Sequence, residues 1–102
     1  MPFLIDATYK TDQAELRARL RPAHLAFLEA NLDMLLAAGA KLSDDGTAPF
    51  GSFYIVNTDD RTAAEAFIKN DPYVQAGLFG TLAMTRWRKG FFNFQKQIPG
   101  AG

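Results

Sequence analysis

At 102 residues, with 48% hydrophobic and 13% aromatic side chains, the chain is long enough for one hydrophobic core and too apolar for a disordered segment. Eleven Lys and Arg balance eleven Asp and Glu, so no net field draws the protein to nucleic acid or anionic lipid, and neither is expected as a partner. Without cysteine there is no disulfide, thiolate metal site or cysteine nucleophile.

The opening Met1-Pro2-Phe3-Leu4-Ile5-Asp6 lacks the basic and long apolar regions of a secretory signal. The longest apolar run, Met34 to Ala40, is too short to cross a bilayer, so a cytoplasmic location is expected. Phe3, Ile5, Ala7 and Tyr9 alternate with Leu4, Asp6 and Thr8, which predicts a strand over residues 3–9. Thr11 to Glu15 offer a cap and acidic first-turn residues, predicting a short helix to about Arg21 that Pro22 ends. Proline suits the first position of a helix, and Leu25, Leu28, Leu32, Leu35 and Leu36 recur at helical spacing, predicting a second helix over 22–38 that Gly39 stops. A short strand at 40–42 and a turn-rich loop, Ser43 to Pro49, follow.

Phe50 to Asn57 is the strongest strand signal, being aromatic and β-branched. Thr62 with Glu65 fits a capping box for a helix to about Asn70, and Asp71-Pro72 closes it and opens a short turn of helix before Gly77. Residues 79–88 read as the last strand, with the cluster Arg86, Arg88 and Lys89 as either a solvated edge or an anion patch. The aromatic tail, residues 90–102, has no regular pattern. The order β-α-β-β-α-β defines a single α+β, ferredoxin-like domain, a four-stranded antiparallel sheet with its helices on one face. Its other face, expected to carry Tyr54 and Val56, needs a cover, which a second copy would supply as a homodimer.

His24, the only histidine, falls in the first turn of the predicted second helix, where the N-terminal dipole and a nearby carboxylate would act on the ring in opposite senses. A lone histidine is also an ordinary structural residue, and Asp71 before proline an ordinary N-cap. The predicted topology nevertheless puts the end of the second main helix on the same side of the sheet as His24, within reach of a hydrogen bond that would orient the ring. Gly51-Ser52 offers close backbone approach and a hydroxyl to a ligand, or simply a strand start.

Arg21-Pro22-Ala23-His24-Leu25-Ala26-Phe27-Leu28, Gly51-Ser52 before an apolar strand, and Ala64-Glu65-Ala66 leading into Asp71-Pro72-Tyr73-Val74-Gln75-Ala76-Gly77 together resemble the YCII-related (YciI-like) family over about residues 3–89. The resemblance implies a dimeric α+β barrel with two sheets packed face to face. It also implies a catalytic pair, His24 and Asp71, at a small pocket that Ser52, Arg21 and Tyr73 line or support. The loop from Ser43 to Pro49 is short for the family, and the Phe91-Phe92-Asn93-Phe94 tail runs past the usual end of the domain.

The expected function is cofactor-independent proton transfer by His24, held by Asp71, on a small cyclic or aromatic-derived metabolite, in lyase, isomerase or hydrolase chemistry. The alternative is a non-catalytic module that binds a small-molecule ligand in the same pocket. No phosphate-cradling glycine motif, dinucleotide fingerprint or second histidine accompanies His24, so neither metal nor cofactor is expected, and a haem on His24 has no other support. Lys89 to Phe94 superficially matches an RNA-binding RNP1 segment, but Phe92 and Asn93 break the pattern and the segment follows the last strand.

Overall fold

The computed structural model describes residues 1–97. In chain order it contains β1 (Phe3–Tyr9), α1 (Ala14–Ala30), β2 (Leu35–Leu42), β3 (Pro49–Val56), α2 (Arg61–Lys69), α3 (Pro72–Gln75), β4 (Phe79–Arg86), β5 (Phe91–Phe92) and β6 (Gln95–Lys96). The first four strands form one sheet in the order β2-β3-β1-β4 with every neighbour antiparallel, the expected ferredoxin-like arrangement. Phe3 and Ile5 of β1 and Tyr54 and Val56 of β3 pack with Ala64, Phe67 and Ile68 of α2 and with Phe27 and Leu28 of α1, so both long helices cover one face.

That face corrects one expectation. Phe3 pairs with Val56 and Ile5 with Tyr54, so Tyr54 and Val56 point into the core and are buried. The open face instead carries Leu4, Phe53 and Ile55, all half-buried, together with Asp6. Phe53 to Val56 is apolar at every position, so the strand alone has no alternation from which its inward side could be read. Across this open face Lys41 reaches Asp6 at 2.7 Å and Thr8 at 2.9 Å. A side chain at Gly51 would collide with the Ala7 carbonyl and the Lys41 stem, so its glycine serves strand packing on this side.

The predicted break at Pro22 does not occur. One helix runs through it from Ala14 to Ala30, and the chain enters through Gln13 without a side-chain cap. Pro22 cannot donate to the Ala18 carbonyl, but both residues are exposed, so that carbonyl lies on the solvent side of the helix. The helix also ends earlier than its leucine spacing predicts: a 3₁₀ turn, Leu32–Met34, leads directly into β2, which claims Leu35 and Leu36. Pairing with β3 along nearly its whole length outweighs the helical propensity of Leu35-Leu36-Ala37-Ala38.

Two smaller corrections follow. Asp60, two residues before Thr62, caps α2 by accepting the Thr62 N–H at 2.9 Å, so the capping box is not formed. Within the tail, Phe91–Phe92 and Gln95–Lys96 pair as a β5–β6 hairpin whose turn residues, Asn93 and Phe94, both have left-handed backbone (φ 55° and 62°), while residues 98–102 lie outside the described residues. Asparagine is at home there; Phe94, fully exposed, is not. No helix among the described residues is long and apolar enough to cross a membrane.

Candidate active site

Because α1 is continuous, His24 sits in its third turn and not at an N-terminus, and the expected influence of a helix N-terminus on its ring is absent. Arg17, Arg21, His24 and Leu28 are spaced by four, three and four residues, which aligns them along one side of the helix. That side faces β2, where Ala38, Gly39 and Ala40 leave a cavity of about 180 Å³ lined also by Tyr9, Ser52 and Tyr73. The structure therefore brings His24, Ser52, Arg21 and Tyr73 to one cavity.

Asp71 lies behind His24 and is fully buried. It is both things the sequence allowed. As the N-cap of α3 it accepts the Tyr73 N–H at 2.9 Å, with Pro72 filling the first helical position. The same carboxylate lies 2.8 Å and 3.0 Å, through its two oxygens, from His24 Nδ1. It also accepts the Tyr54 hydroxyl at 2.6 Å. Three donors thus converge on one buried acceptor, and among the described residues no buried side-chain polar atom lacks a partner.

This geometry fixes the chemistry of the ring. An ionised carboxylate only accepts, so Nδ1 carries the hydrogen, and in the neutral ring the lone pair is then the one on Nε2. Tyr73 stacks on the imidazole with centroids 3.8 Å apart and planes 4° from parallel, and Tyr54 meets it edge-on at 6.4 Å. Held by a hydrogen bond at one edge and a ring on its face, His24 has one orientation. Burial, and then the negative charge of Asp71, push the Tyr54 hydroxyl well above its ordinary range, opposed by a hydrogen bond with Ser52, so Tyr54 stays a donor. Burial also raises Tyr73, with Tyr9 adding to the shift and the charges of Arg17 and Arg21 opposing it.

Two cavity residues escape a reading of the sequence. Arg17 Nε donates to the Tyr9 hydroxyl at 3.1 Å, and that hydroxyl faces Ser52 Oγ at 3.5 Å. The signal existed in the spacing of Arg17, Arg21 and His24, but a helix broken at Pro22 puts the two arginines and the histidine on different elements. Tyr9 and Arg17 also line an adjoining outer cavity of about 590 Å³, walled by the β1–α1 turn and by Ala48, Pro49 and Phe50. No cluster of three metal-ligating side chains occurs among the described residues.

Fold and site together define a ferredoxin-like α+β domain with a buried His–Asp pair opening on a small cavity. The YCII-related domain profile matches residues 1–88, and the chain belongs to that family. It is 38% identical over 98 residues to Protein YciI of Escherichia coli O6:H1 (strain CFT073), covering 89% of this chain and 100% of the relative, and the same holds for Protein YciI of Shigella flexneri. Among solved structures it resembles 5-chloro-2-hydroxyhydroquinone dehydrochlorinase (TftG) from Burkholderia phenoliruptrix AC1100, in complex with 2,5-dihydroxybenzoquinone. The TM-score is 0.79 at 30% identity, over 86% of this chain and 94% of that one.

Proposed function

We propose that this protein is a cofactor-independent enzyme in which His24, oriented by Asp71, takes a proton from a small hydroxylated ring compound. The observation that carries this reading is the Nδ1–Asp71 bond, which leaves Nε2 as the basic nitrogen at the cavity. Asp71 does not touch the substrate in this scheme; it positions the base and balances the imidazolium that forms. A cavity of about 180 Å³ suits one six-membered ring, and TftG, similar in fold and sequence, acts on such a ring. Ser52 and Tyr73 shape the cavity around it, and Arg21 faces its mouth.

Ring-proton exchange in deuterated buffer is the broad test, because it needs no particular leaving group; chloride release from 5-chloro-2-hydroxyhydroquinone is the narrow one. Wild type is expected to exceed buffer in at least one, and His24→Gln to lose about 10²- to 10⁴-fold of that rate. Equal rates for wild type and His24→Gln would sink the proposal, and tight binding of 2,5-dihydroxybenzoquinone without exchange would make the protein a binding module.

The working form we propose is a homodimer, joined through the open sheet face. Leu4, Phe53 and Ile55 support this reading, since they form an apolar patch on the side the helices leave uncovered. Phe53→Asp should give a monomer by sedimentation equilibrium; an unchanged mass would place the contact elsewhere.

A further inference from the structure

The cavity described above carries more positive charge than a proton acceptor needs. Arg17 and Arg21 stand four residues apart on α1, two turns and one turn before His24 respectively, and both line the cavity. Like charges at that spacing repel, and among the described residues neither guanidinium pairs with a carboxylate. Asp71, the one anion within the site, is fully buried and already engaged by three donors. Arg17 is the better held of the two: it is half-buried, its Nε is fixed on the Tyr9 hydroxyl at 3.1 Å, and its guanidinium carbon lies 5.6 Å from the Tyr9 ring centre. That arrangement leaves its two terminal amino groups for a ligand, already oriented. Both arginines also act electrostatically on Tyr73, the ring stacked on His24, so their charge is felt where a substrate would lie.

We infer that the ligand of the His24 cavity is a single ring bearing an ionised oxygen, an acidic hydroxyquinone or a phenolate, and that Arg17, seconded by Arg21, selects it by that charge. The inference rests on the reading of this cavity as the substrate site and adds the charge state of what enters it. Tyr9 is a positioning residue here, since its hydroxyl fixes Arg17 and spans the distance to Ser52.

The test compares two rings of similar size at neutral pH, 2,5-dihydroxybenzoquinone, which is ionised, and hydroquinone, which is neutral. Binding is followed by calorimetry and by the resonances of the single imidazole. With wild type the anion should bind at least about tenfold more tightly, in line with one charge-assisted hydrogen bond. Arg17→Met should weaken the anion by about 10- to 100-fold while leaving hydroquinone within about twofold, and Arg17→Lys should restore part of the loss. Arg21→Met should act in the same direction and less strongly, and it serves as the second variant if Arg17→Met unfolds. Equal affinity for the two rings in wild type, with both perturbing His24, overturns the charge selection alone. Loss of both rings to the same degree in Arg17→Met overturns it too, since shape is then what Arg17 supplies. If neither ring moves the His24 resonances, the substrate site itself is misplaced and both readings fall.

Discussion

The two ends of the site are built on opposite rules. Around Asp71 every polar group is buried and partnered: three donors meet one carboxylate, and Tyr73 closes over His24 at 3.8 Å. Around Arg17 the network is left open: beyond the 3.1 Å bond to Tyr9, the Tyr9–Ser52 approach is 3.5 Å, and two cations face the cavity. A buried polar cluster is costly unless complete and specifies one geometry when it is, whereas an incomplete one at a surface retains capacity for a ligand. The inner end is therefore where stability and orientation reside, and the outer end is where binding energy is still to be gained.

The largest effect should come from Asp71→Ala, which strands the His24 Nδ1–H, the Tyr54 hydroxyl and the Tyr73 N–H together. A loss of about 3–5 kcal/mol in urea unfolding is expected, with activity abolished. Tyr54→Phe removes one donor and keeps the ring, so about 1.5–3 kcal/mol should be lost. A loss below about 0.5 kcal/mol would show that the inner end is no more demanding than the outer.

Tyr54 also sets an alkaline limit. Its hydroxyl titrates higher in the folded protein than its ordinary value of 10.0, so above that value the unfolded chain releases a proton the native state retains. Its contribution is fully present below about pH 10 and declines as pH rises further, and Tyr54→Phe should flatten that part of the stability profile. The smallest effect belongs to the outer end: Arg17→Met should change stability by no more than about 0.5 kcal/mol in the absence of ligand, its consequences appearing only in binding.

What could be read in advance follows the same division. The His24 and Asp71 blocks announce themselves because a motif fixes their spacing, and Asp71 before Pro72 signals a cap whatever else it does. Ser52, Arg21 and Tyr73 come with the same blocks. Arg17 and Tyr9 do not, because their role depends on α1 passing unbroken through Pro22, and a proline on the solvent side of a helix looks in sequence like one that ends it. The inward face of β3 is hidden for a related reason, since four consecutive apolar residues, Phe53 to Val56, leave the choice to the partner strand. Both errors concern tertiary context, and both move residues between faces without altering the order of elements.

Ala38 and Ala40 lie on β2 across from Tyr54 and Ser52, and so project toward the cavity from the one wall that supplies none of the proposed chemistry. Each methyl added there would subtract volume from the cavity while leaving the base, its carboxylate and the arginines on their own elements undisturbed. Under the proposed function, the breadth of rings admitted is thus adjustable independently of what is done to them, and a change of preference needs no rebuilding of the machinery.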